Sequence, residues 1–256
     1  MTTTHLDIGA HGIATLSLNR PERGNAFNQA MLDELGQAFL DLQEDARVRV
    51  VVLRGNGKHF CTGADIASRG DGKQDGLSFN EVLSRIDRFR KPSIAIVQGG
   101  CVGGGLGIAA CCDVLLAEET AFFSVPELRV GITPSAELSG LLIRAMGYRA
   151  FRRYGLSGER ISAQDALRIG LAHQVVAPGT TDDEVGRIAD AFLQNAPGAQ
   201  AELKASIADL AWPRPDVLFP PGGPKRRDHA RSAEAEEGIA AFREKRKPSW
   251  YPKPGG

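Results

Sequence analysis

The chain has 256 residues, of which 42% are hydrophobic and 24% charged, as in a soluble globular protein with a substantial core. Its 31 basic and 31 acidic residues cancel, so no overall positive field favours nucleic acid, and an anionic ligand would need local basic clusters. No apolar run approaches the roughly 20 residues of a membrane span, and no basic segment leads into an apolar one near Met1. We expect a cytoplasmic protein that binds neither membranes nor nucleic acid.

The cysteines carry no sign of a metal site. Cys61, Cys101, Cys111 and Cys112 lack metal-ligand spacing, and two of them are adjacent. Free, mostly buried thiols of a reducing compartment are the simplest interpretation. We therefore expect no metal.

The first half of the chain alternates strands, turns and helices. Residues 6–8 and 13–18 flank His11-Gly12 and predict a β-hairpin. Asn28 predicts the N-cap of a helix with apolar residues at helical spacing. Further along, we predict strands at 48–53, 94–97 and 114–116, and helices at about 79–89 and from about 107. A polar, glycine-rich segment over 68–78 predicts a loop.

The second half begins in the same way and then becomes helical. Thr133-Pro134 predicts a helix start, because proline fits the first helical position. Ser162 and Asp165 predict the cap of a helix that Gly170 ends, and a short strand follows at 175–176. From Thr181 onward the pattern is helical. It is interrupted by a proline-rich linker over 213–224, and the final helix carries Ile239 and Phe242 on one side.

Two glycine-containing turns, each after a β-branched strand, are the most informative feature. They are Phe60-Cys61-Thr62-Gly63-Ala64-Asp65-Ile66 and Gly99-Gly100-Cys101-Val102-Gly103-Gly104-Gly105. Glycine permits close approach and positive φ, so such turns can aim backbone N–H groups at one point. Two converging donors make an oxyanion hole, which stabilises the enolate-like charge on a thioester carbonyl. We expect Asp65 to order its loop through local backbone bonds and His59 to pack at the strand end.

Several segments, in order and at compatible spacing, resemble the crotonase (enoyl-CoA hydratase/isomerase) superfamily over nearly the whole chain. These are Leu18-Asn19-Arg20-Pro21, Asn25-Ala26-Phe27, the turn at 60–66, Gly103-Gly104-Gly105, Cys112-Asp113, the segments at 123–127 and 131–134, and residues 238–246. The resemblance implies an α/β fold with a crotonase-type spiral of β-β-α units over 1–196. It also implies a C-terminal helical segment over 197–256 that forms a homotrimer, with two trimers commonly stacking into a homohexamer.

The resemblance also implies a site for an acyl-CoA thioester, in which coenzyme A is part of the substrate and no separate cofactor is needed. Glu127 matches one of the family's two catalytic glutamates, and Ala64 and Gly104 match its oxyanion-hole donors. The positions expected to bind substrate and coenzyme A are Arg23, Asn25, Ala64, Asp65, Ile66, Gly103, Gly104 and Lys245. Arg23 and Lys245 would supply the local cations that phosphate needs.

One position departs from the family pattern. Gly107 stands where a typical two-glutamate hydratase has its other glutamate, so the chain is most similar to single-glutamate branches resembling methylglutaconyl-CoA-type hydratases. We predict an acyl-CoA lyase that adds water to, or removes it from, a 2-enoyl-CoA with a branched or dicarboxylic acyl group. The alternatives are a Δ3,Δ2-enoyl-CoA isomerase and a catalytically reduced CoA-binding scaffold. Glu137 is a candidate second acid, although an acidic residue there also complements a helix dipole.

Overall fold

The central feature of the fold is a six-stranded sheet in the described part of the chain. The computed structural model describes residues 2–66, 76–177, 179–211 and 232–251. In their spatial order, the sheet strands are β1 (Thr4–Ile8), β2 (Ile13–Leu18), β3 (Val50–Gly55), β4 (Ser93–Val97), β6 (Val114–Glu118) and β9 (Gln174–Val176). β1 and β2 form the predicted antiparallel hairpin, and the other neighbours are parallel. The apolar runs of β3 and β4 are buried because helices or other strands cover both faces.

A second, smaller sheet and the helices complete the architecture. The small sheet contains β5 (Gly100–Val102), β7 (Phe122–Ser124) and β8 (Ile161–Ser162). The helices are α1 (Gln29–Glu44), α2 (Phe79–Asp87), α3 (Gly104–Ala110), α4 (Ala136–Met146), α5 (Tyr148–Ser157), α6 (Ala163–Arg168), α7 (Thr181–Leu193), α8 (Pro197–Ala211) and α9 (Ala233–Arg243). No helix in these described residues is long and apolar enough to cross a membrane.

The chain repeats a β-β-α unit, as the resemblance implied. β4, β5 and α3 form one such unit, and β6, β7 and α4 form another, with a 3₁₀ turn over Glu127–Val130 before α4. Within each unit the chain leaves the main sheet, crosses the small sheet and enters a helix. This arrangement brings the end of β5 and the end of β7 to one side of the molecule, where the second glycine turn and Glu127 lie.

Two helices beyond residue 196 pack on the body of the same chain. Lys204 on α8 donates to Asp113 Oδ2 at 2.6 Å. α9 lies against the Glu127–Val130 turn so closely that a Cβ on Gly238 would lie 2.5 Å from the Val130 carbonyl carbon. The buried face of α9 is formed by Ala235 and Gly238 with Ala241, whereas Phe242 is exposed. Small residues allow this close approach.

The helix boundaries confirm some local predictions and correct one. The Asn28 and Ser162 side chains accept hydrogen bonds from Met31 N–H and Asp165 N–H, as predicted caps should. The predicted start at Thr133-Pro134 is wrong. Instead, α4 begins at Ala136, because the Ser135 hydroxyl accepts the Leu138 N–H at 3.1 Å and so provides the cap. The predicted loop over 68–78 lies mostly outside the described residues, and the proline-rich linker over 213–224 lies wholly outside them.

The cysteines are buried free thiols, as predicted. Burial raises the pKa of Cys61 and of Cys112 to about 12, so both thiols stay protonated at neutral pH. Among the residues with described positions, no group of three or more His, Cys, Asp or Glu side chains could hold a metal ion.

Candidate active site

A cavity of about 530 Å³ lies where the two glycine turns meet α2, α4 and the Glu127 turn. Four of the predicted site residues line it: Ala64, Asp65, Gly104 and Glu127. Its exposed rim includes Ala64, Ser78 and Thr133. Its apolar side is formed by partly or fully buried side chains of Leu32, Phe79 and Leu138. Residues from turns 40 positions apart in sequence therefore face one space.

The first glycine turn presents the Ala64 N–H group. Phe27 N–H donates to Gly63 O at 2.9 Å, and Asp65 N–H donates to Phe27 O at 2.9 Å. Because successive residues of an extended segment point in opposite directions, the Ala64 N–H points away from Phe27. It has no acceptor among the described residues. The group is thus available to a ligand oxygen.

The second glycine turn presents the Gly104 N–H group. Gly103 has φ 55° and ψ −122°, a conformation that favours glycine, and its own N–H donates to Ser124 O at 2.8 Å. Gly104 begins α3, so its N–H has no intrahelical acceptor, and it has none elsewhere in the described chain. A Cβ on Gly104 would lie 2.7 Å from Phe27 Cζ, whose ring stacks on Phe79 with centroids 5.1 Å apart. Only glycine fits beneath these rings.

Hydrogen bonds hold the two turns side by side. Cys61 N–H donates to Gly100 O at 3.2 Å, and Val102 N–H donates to Cys61 O at 2.9 Å. His59 Nδ1 accepts the Gly100 N–H at 2.8 Å, so this side chain packs at the strand end, as predicted, and also joins the turns. Burial, with a smaller contribution from Lys58, lowers the pKa of His59 and keeps the ring neutral as an acceptor.

Glu127 supplies a carboxylate beside the second turn. A Cβ on Gly103 would lie 2.7 Å from Glu127 Oε1, so the carboxylate lies directly against the glycine that precedes Gly104. Glu127 Oε2 is buried and has no hydrogen-bond partner in the described part of the protein. Burial raises the pKa of Glu127. A carboxylate with a raised pKa and a free oxygen in a cavity can both accept and deliver a proton.

The position of the second family glutamate faces hydrocarbon. A Cβ on Gly107 would lie 2.6 Å from Leu138 Cδ1 and 3.5 Å from both Phe79 Cζ and Leu83 Cδ2. Glu137, the candidate second acid, is exposed and accepts a hydrogen bond from Asn80 Nδ2 at 3.1 Å. It lines a separate cavity of about 190 Å³ and not the one that holds Glu127.

Asn25 and Asp65 hold the first turn in place. Asn25 is fully buried: its Oδ1 accepts the Arg20 N–H, and its Nδ2 donates to Asn56 O at 2.9 Å and to His59 O at 2.7 Å. Its amide is used by the protein backbone and not directed into the cavity. Asp65 forms an ion pair with Arg20 at 2.9 Å, an interaction that the expectation of local backbone bonds missed.

The remaining predicted residues lie at or beyond the edge of the cavity. Arg23 is exposed on a 3₁₀ turn (Pro21–Arg23), and Lys245 is exposed just after α9. The carbonyl of Ile66 accepts a hydrogen bond from Arg243 Nη2 at 2.9 Å, so α9 is tied to the end of the first turn. Sequence reasoning missed Arg20, although it lies within a segment that carries the resemblance. The periodicity of the helix places Leu138 on its apolar face, but sequence reasoning missed that this side chain lines the cavity.

This combination of fold and site defines a crotonase-type protein, in which a β-β-α spiral places two backbone donors and one carboxylate around a single cavity. Residues 9–253 match the enoyl-CoA hydratase/isomerase family. The chain belongs to that family and is an enoyl-CoA hydratase-like enzyme.

Enzymes and solved structures similar to this protein align over most of the chain. It is 32% identical to 2,3-dehydroadipyl-CoA hydratase of Escherichia coli over 93% of this chain and 94% of that protein. It is 35% identical to short-chain-enoyl-CoA hydratase of Clostridium acetobutylicum over 76% of this chain and 77% of that protein. A solved structure of methylmalonyl CoA decarboxylase complexed with 2S-carboxypropyl CoA superposes with a TM-score of 0.85 at 27% identity, covering 99% of each chain.

Proposed function

We propose that the protein adds water to the double bond of a 2-enoyl-CoA thioester, or removes it in the reverse direction, with Glu127 as the acid/base. One observation carries this proposal. The Glu127 carboxylate, whose Oε2 has no partner in the described chain, lines the same cavity as the acceptor-free N–H groups of Ala64 and Gly104. A carboxylate beside two convergent donors is the arrangement that proton transfer next to a thioester requires.

The two N–H groups would bind the thioester oxygen and stabilise the enolate that forms when water attacks the β carbon. One such donor is worth about 2.7–4 kcal/mol of barrier. Glu127 would take a proton from the attacking water and then deliver it to the α carbon. The raised pKa of Glu127 helps the second half of this cycle, because the protonated form is then a competent acid near neutral pH.

The side of the cavity lined by Leu32, Phe79 and Leu138 suits a hydrocarbon acyl group. Leu32 and Leu138 are buried members of the core, and the partly buried Phe79 packs against that core. A distal carboxylate placed among these side chains would lose its hydration, which is costly without a partner. We therefore favour a linear or branched uncharged acyl group over the dicarboxylic one that the sequence suggested.

Coenzyme A would lie outside the cavity mouth, where Arg23 and Lys245 can offer charge to its phosphates. We further propose a homotrimer or homohexamer. Exposed Leu203 and Ile207 on α8, 62% and 54% accessible, support an assembly because large apolar side chains gain stability when a partner covers them. Buried thiols fit a cytoplasmic location.

A second candidate function is Δ3,Δ2-enoyl-CoA isomerisation. It is favoured by one observation, the hydrocarbon around Gly107. Moving a proton between the α and γ carbons needs only one carboxylate and no bound water. Glu127 alone would suffice for that reaction.

Uptake of oxygen-18 from labelled water into product distinguishes the two reactions. The purified protein is incubated with 2-enoyl and 3-enoyl thioesters of four to six carbons, straight and branched, beside a Glu127→Gln control. Label in the product of a 2-enoyl thioester, absent with the control, supports hydration. Rapid conversion of the 3-enoyl to the 2-enoyl thioester without label contradicts hydration in favour of isomerisation. No reaction with any of them, together with measurable acyl-CoA binding, would favour the scaffold.

A further inference from the structure

The cavity that holds Glu127 shares a wall with a second cavity of about 190 Å³. Asn80 lines both, Leu138 lines only the first, and Leu83 and Leu141 line only the second. Leu138 and Leu83 both lie close to Gly107. A Cβ there would be 2.6 Å from Leu138 Cδ1 and 3.5 Å from Leu83 Cδ2. One leucine of each cavity therefore lies beside the same glycine.

We infer that Leu138 sets the length of the acyl group and separates the acyl site from the second cavity. This inference rests on the acyl-CoA site proposed above and adds a substrate class, thioesters with a short uncharged acyl group. Leu138 acts as the end of the pocket, since its side chain fills the space that the missing side chain of Gly107 leaves open.

The direction of the acyl group follows from size and exposure. Coenzyme A is far too large for the cavity, so it must remain outside the exposed rim, which includes Ala64. With the thioester oxygen on the Ala64 and Gly104 N–H groups, the acyl carbons continue inward past Glu127. The buried surface they then meet includes Leu138, which is 4% exposed.

Shortening Leu138 would remove the end of the pocket. The second cavity has an apolar inner side, formed by Leu83 and Leu141, which are 4% and 5% exposed, and a polar outer side that includes the exposed Ser84, Arg88 and Glu137. An acyl chain entering it would be removed from water on the apolar side. Each fully buried methylene is worth about fourfold in binding. An acyl chain longer by two half-buried methylenes should therefore gain about fourfold in Leu138→Ala relative to the wild type.

The test measures inhibition by saturated acyl-CoAs of four, six, eight and ten carbons, together with kcat/KM for the matching 2-enoyl-CoAs. For the wild type we expect Ki to stop improving or to worsen beyond a short chain. In Leu138→Ala the Ki should keep falling with length, and kcat/KM should shift toward the longer substrates in parallel. Leu141→Ala is the matched control: it enlarges only the second cavity and should leave the length profile unchanged.

Equal length profiles in the wild type and in folded Leu138→Ala would overturn the inference, as would a wild type that prefers ten carbons to four. If Leu138→Ala does not fold, Leu138→Val tests the same enlargement of the pocket with a smaller loss of packing. Leu138→Phe should lower the acyl-chain length at which Ki stops improving. If the protein shows no turnover, calorimetry gives the Kd of each saturated acyl-CoA in place of Ki. A wild type that binds acyl-CoAs with the expected length limit but hydrates none would refute the proposed hydration and leave the role of Leu138 standing.

Discussion

Replacing Glu127 by glutamine should remove most turnover while leaving acyl-CoA affinity nearly unchanged. The amide keeps the shape of the side chain but cannot accept a proton. General acid–base catalysis by one side chain contributes about 10²–10⁴-fold. The same carboxylate would serve both proton transfers, and the other carboxylate of the described cavity lining, Asp65, is in an ion pair with Arg20. We therefore expect a loss near the upper end, about 10³–10⁴-fold in kcat.

The same substitution also tests the burial of Glu127. Burial raises the pKa of this carboxyl group, so the folded protein disfavours the charged form relative to the unfolded chain. This penalty is present above the raised folded pKa and is relieved as the pH falls through it, since the carboxyl group then becomes protonated. Glu127→Gln should thus melt at a higher temperature than the wild type at about pH 8, and the difference should shrink toward about pH 4.

The assay combines hydration kinetics with thermal melting monitored by circular dichroism across pH. Glu137→Gln is the matched control, because Glu137 is exposed, lies in the neighbouring cavity and should affect neither kcat nor the pH dependence of melting. Full turnover in Glu127→Gln combined with loss in Glu137→Gln would refute the assignment of the carboxylate. A melting difference that does not change with pH would refute the argument from burial.

Two further substitutions test the first glycine turn. Ala64→Pro deletes the N–H donor, and we expect about 10²–10³-fold lower kcat with an unchanged circular dichroism spectrum; a folded and fully active variant would exclude this oxyanion-hole donor. Arg20→Leu removes one buried ion pair of Asp65, whose side chain is only 8% exposed, and should lower the free energy of unfolding by about 1.5–3 kcal/mol in chemical denaturation.

A matched control for Arg20 is available at the surface. Arg47 pairs with Asp45 at 2.7 Å, but its side chain is 76% exposed. Arg47→Leu should therefore leave the free energy of unfolding almost unchanged. Equal losses in the two variants would mean that burial of the Arg20–Asp65 pair has no special effect on stability.

Sequence reasoning succeeded where a structural feature depends on neighbours along the chain. Asn28 and Ser162 cap helices because each side chain needs only an N–H three residues ahead. The start of α4 shows the limit of such rules. Pro134 and Ser135 both resemble the beginning of a helix, and the serine provides the cap because its hydroxyl reaches the Leu138 N–H.

The features that the sequence did not reveal depend on contacts between distant segments. Arg20 and Asp65 are 45 positions apart, and nothing near either residue indicates that they pair. Asn25 resembles a substrate-binding residue by position, yet its amide is occupied by backbone groups of a distant loop. The sequence shows that Gly107 stands in place of the second glutamate. It does not show that Leu138, on another helix, fills the space beside this glycine.

The hydrocarbon around Gly107, where the family has its second glutamate, limits how water can add to the double bond. The hydrocarbon of Leu138 and Phe79 around Gly107 offers no group to activate water on that side, so we expect Glu127 to activate the reacting water. Glu127 would then direct the hydroxyl group to the β carbon and the proton to the α carbon. Because both come from this one carboxylate, both should add to the face of the double bond that Glu127 approaches. Hydration of a 2-enoyl-CoA in deuterium oxide, followed by NMR of the product, should show the deuterium and the hydroxyl group added to the same face. Addition to opposite faces would require a second acid and would contradict the role of Glu127 as the sole proton carrier.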